Sequence, residues 1–155
     1  MEDEILEQLC LNISSNNPGV EEVKKELKKI SNRGRPKWGK HSPLVSAVEA
    51  KHKDLIKLMI KAFRFDVDSK CDQSPYCALA AAIFNDDEDM VRFLVAEMKA
   101  KVGTKIRYAL KRYNLKILRL LVEEFGADVN KETSLVSMKS TSYLPLHCAI
   151  FQEQK

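Results

Sequence analysis

Apolar residues recur along this chain with a period longer than any one helix or strand. Leu58 to Asp68 reads LMIKAFRFDVD, Phe93 to Gly103 reads FLVAEMKAKVG, and Leu120 to Asn130 reads LLVEEFGADVN. The three elevens align without a gap and their apolar positions agree. Each follows an apolar pair at the same offset: Leu55-Ile56, Met90-Val91 and Ile117-Leu118. Within each stretch the spacing is that of an amphipathic helix. Gly126 closes the third, because glycine tolerates the left-handed geometry that ends a helix. Eleven residues ahead of each stands a small residue, Ala47, Ala82 or Ala109, as the packing point of a preceding helix. The prediction is an all-α repeat: helical pairs too short to bury an apolar face alone, stacked so that each covers the next.

The rest of the chain falls into place around these units. Residues 3–12 predict a short helix with Ile5, Leu6, Leu9, Cys10 and Ile13 as its apolar side. Ser14 to Gly19 reads as a turn, and Val20 to Ile30 as a helix with Val20, Val23, Leu27 and Ile30 on one face. Ser31 to Ser42 is a linker in which Gly34, Pro36 and Gly39 prevent regular structure. Residues 1–40 are therefore a helical cap with a basic linker, and residues 41–155 the repeat domain. Ser42-Pro43 opens the first unit as cap and first helical residue. Successive units are spaced by 35 and then 27 residues, because Gly103 follows Val102 with almost no link. Extended structure is expected only in short fingers at 65–73 and after Asn130. A polar insertion, Lys131 to Tyr143, precedes Leu144 to Ile150, the first helix of an incomplete last repeat. Without a second helix to cover it, 144–155 should exchange its amides faster than 110–122. The end at Lys155 reads as a truncated product or a fragment of a longer repeat protein.

Composition narrows the class. The chain of 155 residues is 45% hydrophobic and 31% charged, that of a folded, soluble protein. No apolar run approaches the roughly 20 residues that span a bilayer. The acidic start, MEDEILEQ, is unlike a secretory signal. Cys10, Cys71, Cys77 and Cys148 have no framework spacing, so they read as free thiols in the cytoplasm or nucleus. The net charge of +4 is uneven: residues 20–61 hold twelve bases and five acids, whereas residues 1–19 hold four acids and no base.

Chemistry finds little support. His41, His52 and His147 lie in no catalytic motif, and no phosphate-cradling glycine loop occurs. The cysteines lack the compact pairs of a zinc site. No catalytic residue, cofactor or metal is expected. The basic linker offers one alternative. Arg33-Gly34-Arg35-Pro36, followed by Lys37, resembles an AT-hook core, which would make this a DNA-associated protein at AT-rich minor grooves. The plainer reading, a solvated basic loop, is favoured because Asn32 stands where a basic residue usually precedes that core.

The repeats resemble those of ankyrin-repeat proteins. Gly126-Ala127-Asp128-Val129-Asn130 and Pro145-Leu146-His147-x-Ala149 match that family's motifs, with weaker matches at Ser42-Pro43-Leu44 and Asp66-Val67-Asp68. The second and third units depart from the pattern, and each second helix carries one extra residue before its turn. The extra residue and the long insertion resemble Fem-1-type ankyrin proteins, and through them imply a substrate-recognition fragment of a cullin ubiquitin ligase receptor. The broader resemblance implies a non-enzymatic scaffold or adaptor, binding a protein partner on a concave face of first helices and fingers. Arg64, Asp72 and Arg112 are its orienting candidates, with Lys70, Gln73 and Glu49 nearby. Tyr108, on its exposed side, and Trp38 are the candidate anchors.

Overall fold

In the computed structural model, residues 2–15, 19–31, 42–69, 77–128, 133–134 and 142–143 are described. These residues form helical pairs in chain order: α1 (Glu2–Ser14) with α2 (Val20–Ser31), α3 (Pro43–Glu49) with α4 (Lys53–Lys61), α5 (Ala78–Phe84) with α6 (Glu88–Arg92), and α7 (Ile106–Lys111) with α8 (Leu115–Arg119). The first helices stack in a row, α1 on α3, α3 on α5 and α5 on α7, while α6 stacks on α8 in a second row. The expected all-α stack is what the described residues form. The one extended element is a two-residue antiparallel pairing, Thr133–Ser134 with Ser142–Tyr143, inside the insertion where extended structure was expected.

Small residues hold the rows together. Ala47, Ala82 and Ala109 are all buried, so first helices approach closely at each layer. The middle helix α5 is buried from Ala78 through Ile83, since it has a neighbour on both sides and a second helix behind it. Leu9, Ile13, Val23 and Leu27 join the same core as Leu55, Ile56, Met59, Leu94 and Leu121, so the first pair is continuous with the others. Val20 corrects an expectation. At the first position of α2 it is 45% exposed, whereas Val23 and Leu27 are buried.

Both turns of the unit are built identically from layer to layer. Between first and second helix, Lys51, Asp86 and Tyr113 adopt positive φ values of 60°, 53° and 57°. The next residue donates its amide back across the turn: His52 to Ala47 O, Asp87 to Ala82 O and Asn114 to Ala109 O, at 2.9, 3.1 and 3.1 Å. These are the long closure bonds that satisfy carbonyls at a helix end. After the second helix, Arg64, Lys99 and Gly126 take positive φ at the same place in each eleven. There Phe65 donates to Met59 O, Ala100 to Leu94 O and Ala127 to Leu121 O, at 3.1, 2.9 and 2.9 Å. The gapless alignment of the elevens is thus the imprint of one closure bond made three times.

The second helices of the last two described layers end in a wider turn. The helix of α6 continues as a π-helical turn, Phe93–Glu97, and that of α8 as another, Leu120–Glu124. A π turn is how a helix absorbs one inserted residue without losing its hydrogen bonding. The shortened link after Val102 is a single 3₁₀ turn, Gly103–Lys105, leading straight into α7.

Ion pairs repeat across the second-helix row. Lys57 Nζ meets Glu97 at 3.0 Å, and one layer on Arg92 Nη2 meets Glu124 at 2.9 Å. Hydrogen bonding to Arg92 holds the Glu124 carboxyl below its ordinary range. Lys53 and Lys57 lie over the Phe93 ring, 5.5 and 5.3 Å from its centre. Asp87 does two jobs: it caps α6 by accepting from Met90 N at 3.0 Å and pairs with Lys51 of the preceding layer at 2.9 Å. Burial pushes its carboxyl upward, but the bonds from Lys51 and Met90 and the charges of Lys51 and Lys53 outweigh this, leaving it below the ordinary 3.8.

Two predictions follow from this packing. Asp87→Ala should cost about 1 kcal/mol at pH 7, the usual worth of an N-cap. Because the folded carboxyl titrates below the unfolded one, its contribution is complete above about pH 3.8 and fades as pH falls through the lower folded value. Urea unfolding of both proteins at pH 7 and pH 3 should show the gap narrowing; a constant gap refutes the charge-based part. Ala82→Leu should destabilise by about 1–3 kcal/mol through overpacking of the first-helix row. A loss within about 0.5 kcal/mol in the same assay would show that the row has room.

Candidate protein-interaction surface

Each first helix turns one side toward its own second helix and the neighbouring layers. On α3 that side is Leu44, Ala47 and Val48, all buried. Helical periodicity puts Val45, Ser46 and Glu49 on the opposite side. They are half-buried or exposed. The same positions on α5 are Ala80, Ala81 and Phe84, and on α7 Arg107, Tyr108 and Lys111. Read across the layers, the outermost position runs Glu49, Phe84, Lys111: an exposed acid, a half-buried aromatic and an exposed base.

Beside this column lies an aromatic cluster. The Phe84 and Tyr108 ring centres are 5.5 Å apart with planes tilted by 53°. The Arg107 guanidinium lies 5.0 Å from the Tyr108 ring centre and donates to its hydroxyl at 3.2 Å. Tyr108 is only 8% exposed, so it is part of the packing and not an exposed anchor. Its polar tip and apolar ring are both matched inside the protein, as a buried tyrosine requires. The sequence assigns Tyr108 an exposed side; the Phe84 ring of the preceding layer covers it.

The other candidates separate. Arg64 lies just beyond α4, at the finger end of its layer, exposed and with φ of 55°. Arg112 sits in the turn between α7 and α8, the opposite end, where its guanidinium stands 3.6 Å from Asp86 of the preceding layer. A layer of two helices joined by a tight turn is a hairpin, so its turn and its finger lie a helix length apart. The structure therefore does not bring Arg64 and Arg112 together. Asp72, Lys70, Gln73 and Trp38 lie outside the described residues, as do Arg33, Arg35 and Lys37 of the linker and residues 144–155.

The finger end has a polar clamp that the sequence did not disclose. Asp68 accepts the Lys101 amide with both carboxylate oxygens at 3.2 Å and pairs with the Lys105 ammonium. This ties the link after one layer to the link after the next. His52 makes a similar tie at the turn end, its Nε2 donating to Ser15 O at 3.1 Å, although it reads in the sequence as a solvated residue. Cys10 and Cys77 are buried thiols, as expected. Among the described residues no group of His, Cys, Asp and Glu is placed to hold a metal ion, and no helix is long and apolar enough to cross a membrane.

Among the described residues the first-helix side has no convergent acid, base or nucleophile. What it presents is a row of chemically different side chains, Glu49, Phe84 and Lys111, on a packed support, the property of a binding surface. Comparison with known proteins agrees. The family model described as Ankyrin repeats (3 copies) matches residues 4–106, from within α1 to the first residue of α7. No curated protein and no solved structure matches the chain. The same turn bonds continue one pair past the matched interval, to α7 and α8. This chain belongs to the ankyrin-repeat family, whose domains are non-catalytic modules for protein–protein interaction.

Proposed function

We propose that this protein is a scaffold or adaptor that binds its partner across the first-helix face, with the pair α1–α2 as the terminal unit of the stack. The observation that carries this reading is the column Glu49, Phe84, Lys111. Its three members occupy one structural position in successive layers, yet differ completely in chemistry. The residues behind them, Ala47, Ala82 and Ala109, are the same. Packing holds the inner positions constant and leaves the outer ones free to differ. The order acid, aromatic, base favours a partner segment that places a basic residue over α3, an apolar one over α5 and an acidic one over α7. Phe84, supported by Tyr108, is the central anchor, and the charges orient the partner around it. Arg64 extends this surface toward the fingers.

Two narrower readings attach to particular residues. The π turns at Phe93–Glu97 and Leu120–Glu124 accommodate the extra residue that underlies the resemblance to ubiquitin-ligase substrate receptors. Co-purification with a cullin scaffold is the test of that reading. The linker reading requires AT-rich duplex to bind better than GC-rich duplex, with the preference lost when Arg33 and Arg35 are neutralised.

The main reading is tested by exchanging charges without touching the core. Affinity capture from native extract, with wild type beside a Glu49→Lys, Lys111→Glu variant, should show a specific partner retained by the first and reduced about tenfold or more in the second. Circular dichroism should be unchanged, because both side chains are exposed. A specific partner held equally by the two proteins rules out this face.

A further inference from the structure

The turn between α7 and α8 carries a feature that neither the fold nor the first-helix face uses. At the left-handed position of this turn the first two layers place Lys51 and Asp86, and the third places Tyr113 with φ of 57°. Glycine is the residue that takes this geometry at no steric cost, and a bulky side chain is among the least suited. The tyrosine gains nothing from packing in return: it is 71% exposed. Two residues on, at the first position of α8, Leu115 is 56% exposed. Leu11, Val20, Tyr113 and Leu115 are the exposed large hydrophobics among the described residues, so two of them share a single turn.

Cations surround the pair. Arg112 in the turn and Lys116 and Arg119 on α8 are all exposed. Arg112 approaches Asp86 at 3.6 Å without a hydrogen bond, and the Asn114 amide donates to the same carboxylate at 2.8 Å. Asp86 thus braces the turn from the layer below. Strain, exposed apolar surface and local positive charge coincide on residues 112–119.

We propose that the turn Arg112–Lys116 is a second docking surface, distinct from the first-helix face, for an acidic protein segment carrying an apolar side chain. The apolar side chain covers Tyr113 and Leu115, and flanking carboxylates meet Arg112, Lys116 and Arg119. Tyrosine with nearby arginine is the usual makeup of an interface anchor. A bare polyanion would leave Leu115 in water and would meet Asp86. A membrane surface needs a broader apolar face than one turn provides. This surface is at the opposite end of the layers from the fingers and does not depend on the reading of the first-helix face.

The test separates binding from folding. Tyr113→Gly should raise the unfolding midpoint by about 2–4 °C, because it relieves the left-handed position. Random dodecamer peptides displayed on phage are selected on the full wild-type chain, with depletion against Tyr113→Gly. The enriched peptides should carry Asp or Glu around a Leu, Phe or Trp. Their synthetic versions should bind Tyr113→Gly, and an Arg112→Glu, Lys116→Glu variant, about tenfold or more weakly. Lys61→Glu, exposed at the end of α4, should bind them as wild type does. A lowered midpoint for Tyr113→Gly makes the ring structural and overturns the proposal. So does a selected pool that is not acidic, or one that ignores Tyr113. Tyr113-dependent binding to phosphatidylserine vesicles or to single-stranded DNA, with no such peptide, reassigns the surface to that ligand. Concentration-dependent sedimentation lost in both Tyr113→Gly and Leu11→Ser reassigns it to a second copy of the chain.

Discussion

Burial between layers is what this structure depends on. Apart from the first two, the described helices run from six to ten residues, counting the π turns that extend α6 and α8, below the roughly 12–15 at which an isolated helix becomes even marginal in water. None of them can exist without its neighbours. The free energy comes from apolar side chains shared across layers: α5, buried along nearly its whole length, is stable only because α3 and α7 flank it. Alanine at positions 47, 82 and 109 sets how closely the layers approach, and every cross-layer bond follows from that distance.

The polar contacts are secondary to this packing and take their register from it. Lys57 with Glu97 and Arg92 with Glu124 are the same contact one layer apart, both largely exposed, so each contributes little alone. Their role is alignment. The closure bonds at the two left-handed positions have more consequence. By satisfying the helix-end carbonyls within each layer, they free the links between layers to vary. One link can therefore shrink to a single 3₁₀ turn at Gly103 with the stack unaltered.

That independence is what makes such a stack a recognition device. Positions that face neighbouring layers are restricted to small or apolar residues. Positions facing away, such as Glu49 and Lys111, are exposed and far less restricted. Tyr113 goes further, because it occupies a place where the fold favours glycine. Exposed residues that the packing does not select are the ones whose identity a partner determines.

The amino-acid sequence by itself determined the unit. The gapless elevens, the alanines eleven residues ahead of them and the Ser42-Pro43 start are all local, since each records a bond or contact made within one helical pair. The buried Cys10, the trimmed link at Gly103 and the extended pairing after Asn130 were legible for the same reason. The tertiary structure decided everything that crosses from one layer to another. Tyr108 is covered because Phe84, twenty-four residues earlier, stands against it. Arg64 and Arg112 fall at opposite ends because one follows a second helix and the other follows a first. His52 is tied to Ser15, and Asp68 to Lys101 and Lys105, by contacts between segments more than thirty residues apart. Helical periodicity specifies which side of a helix a residue occupies, but the exposure of that side depends on which side chain the adjacent layer brings to it.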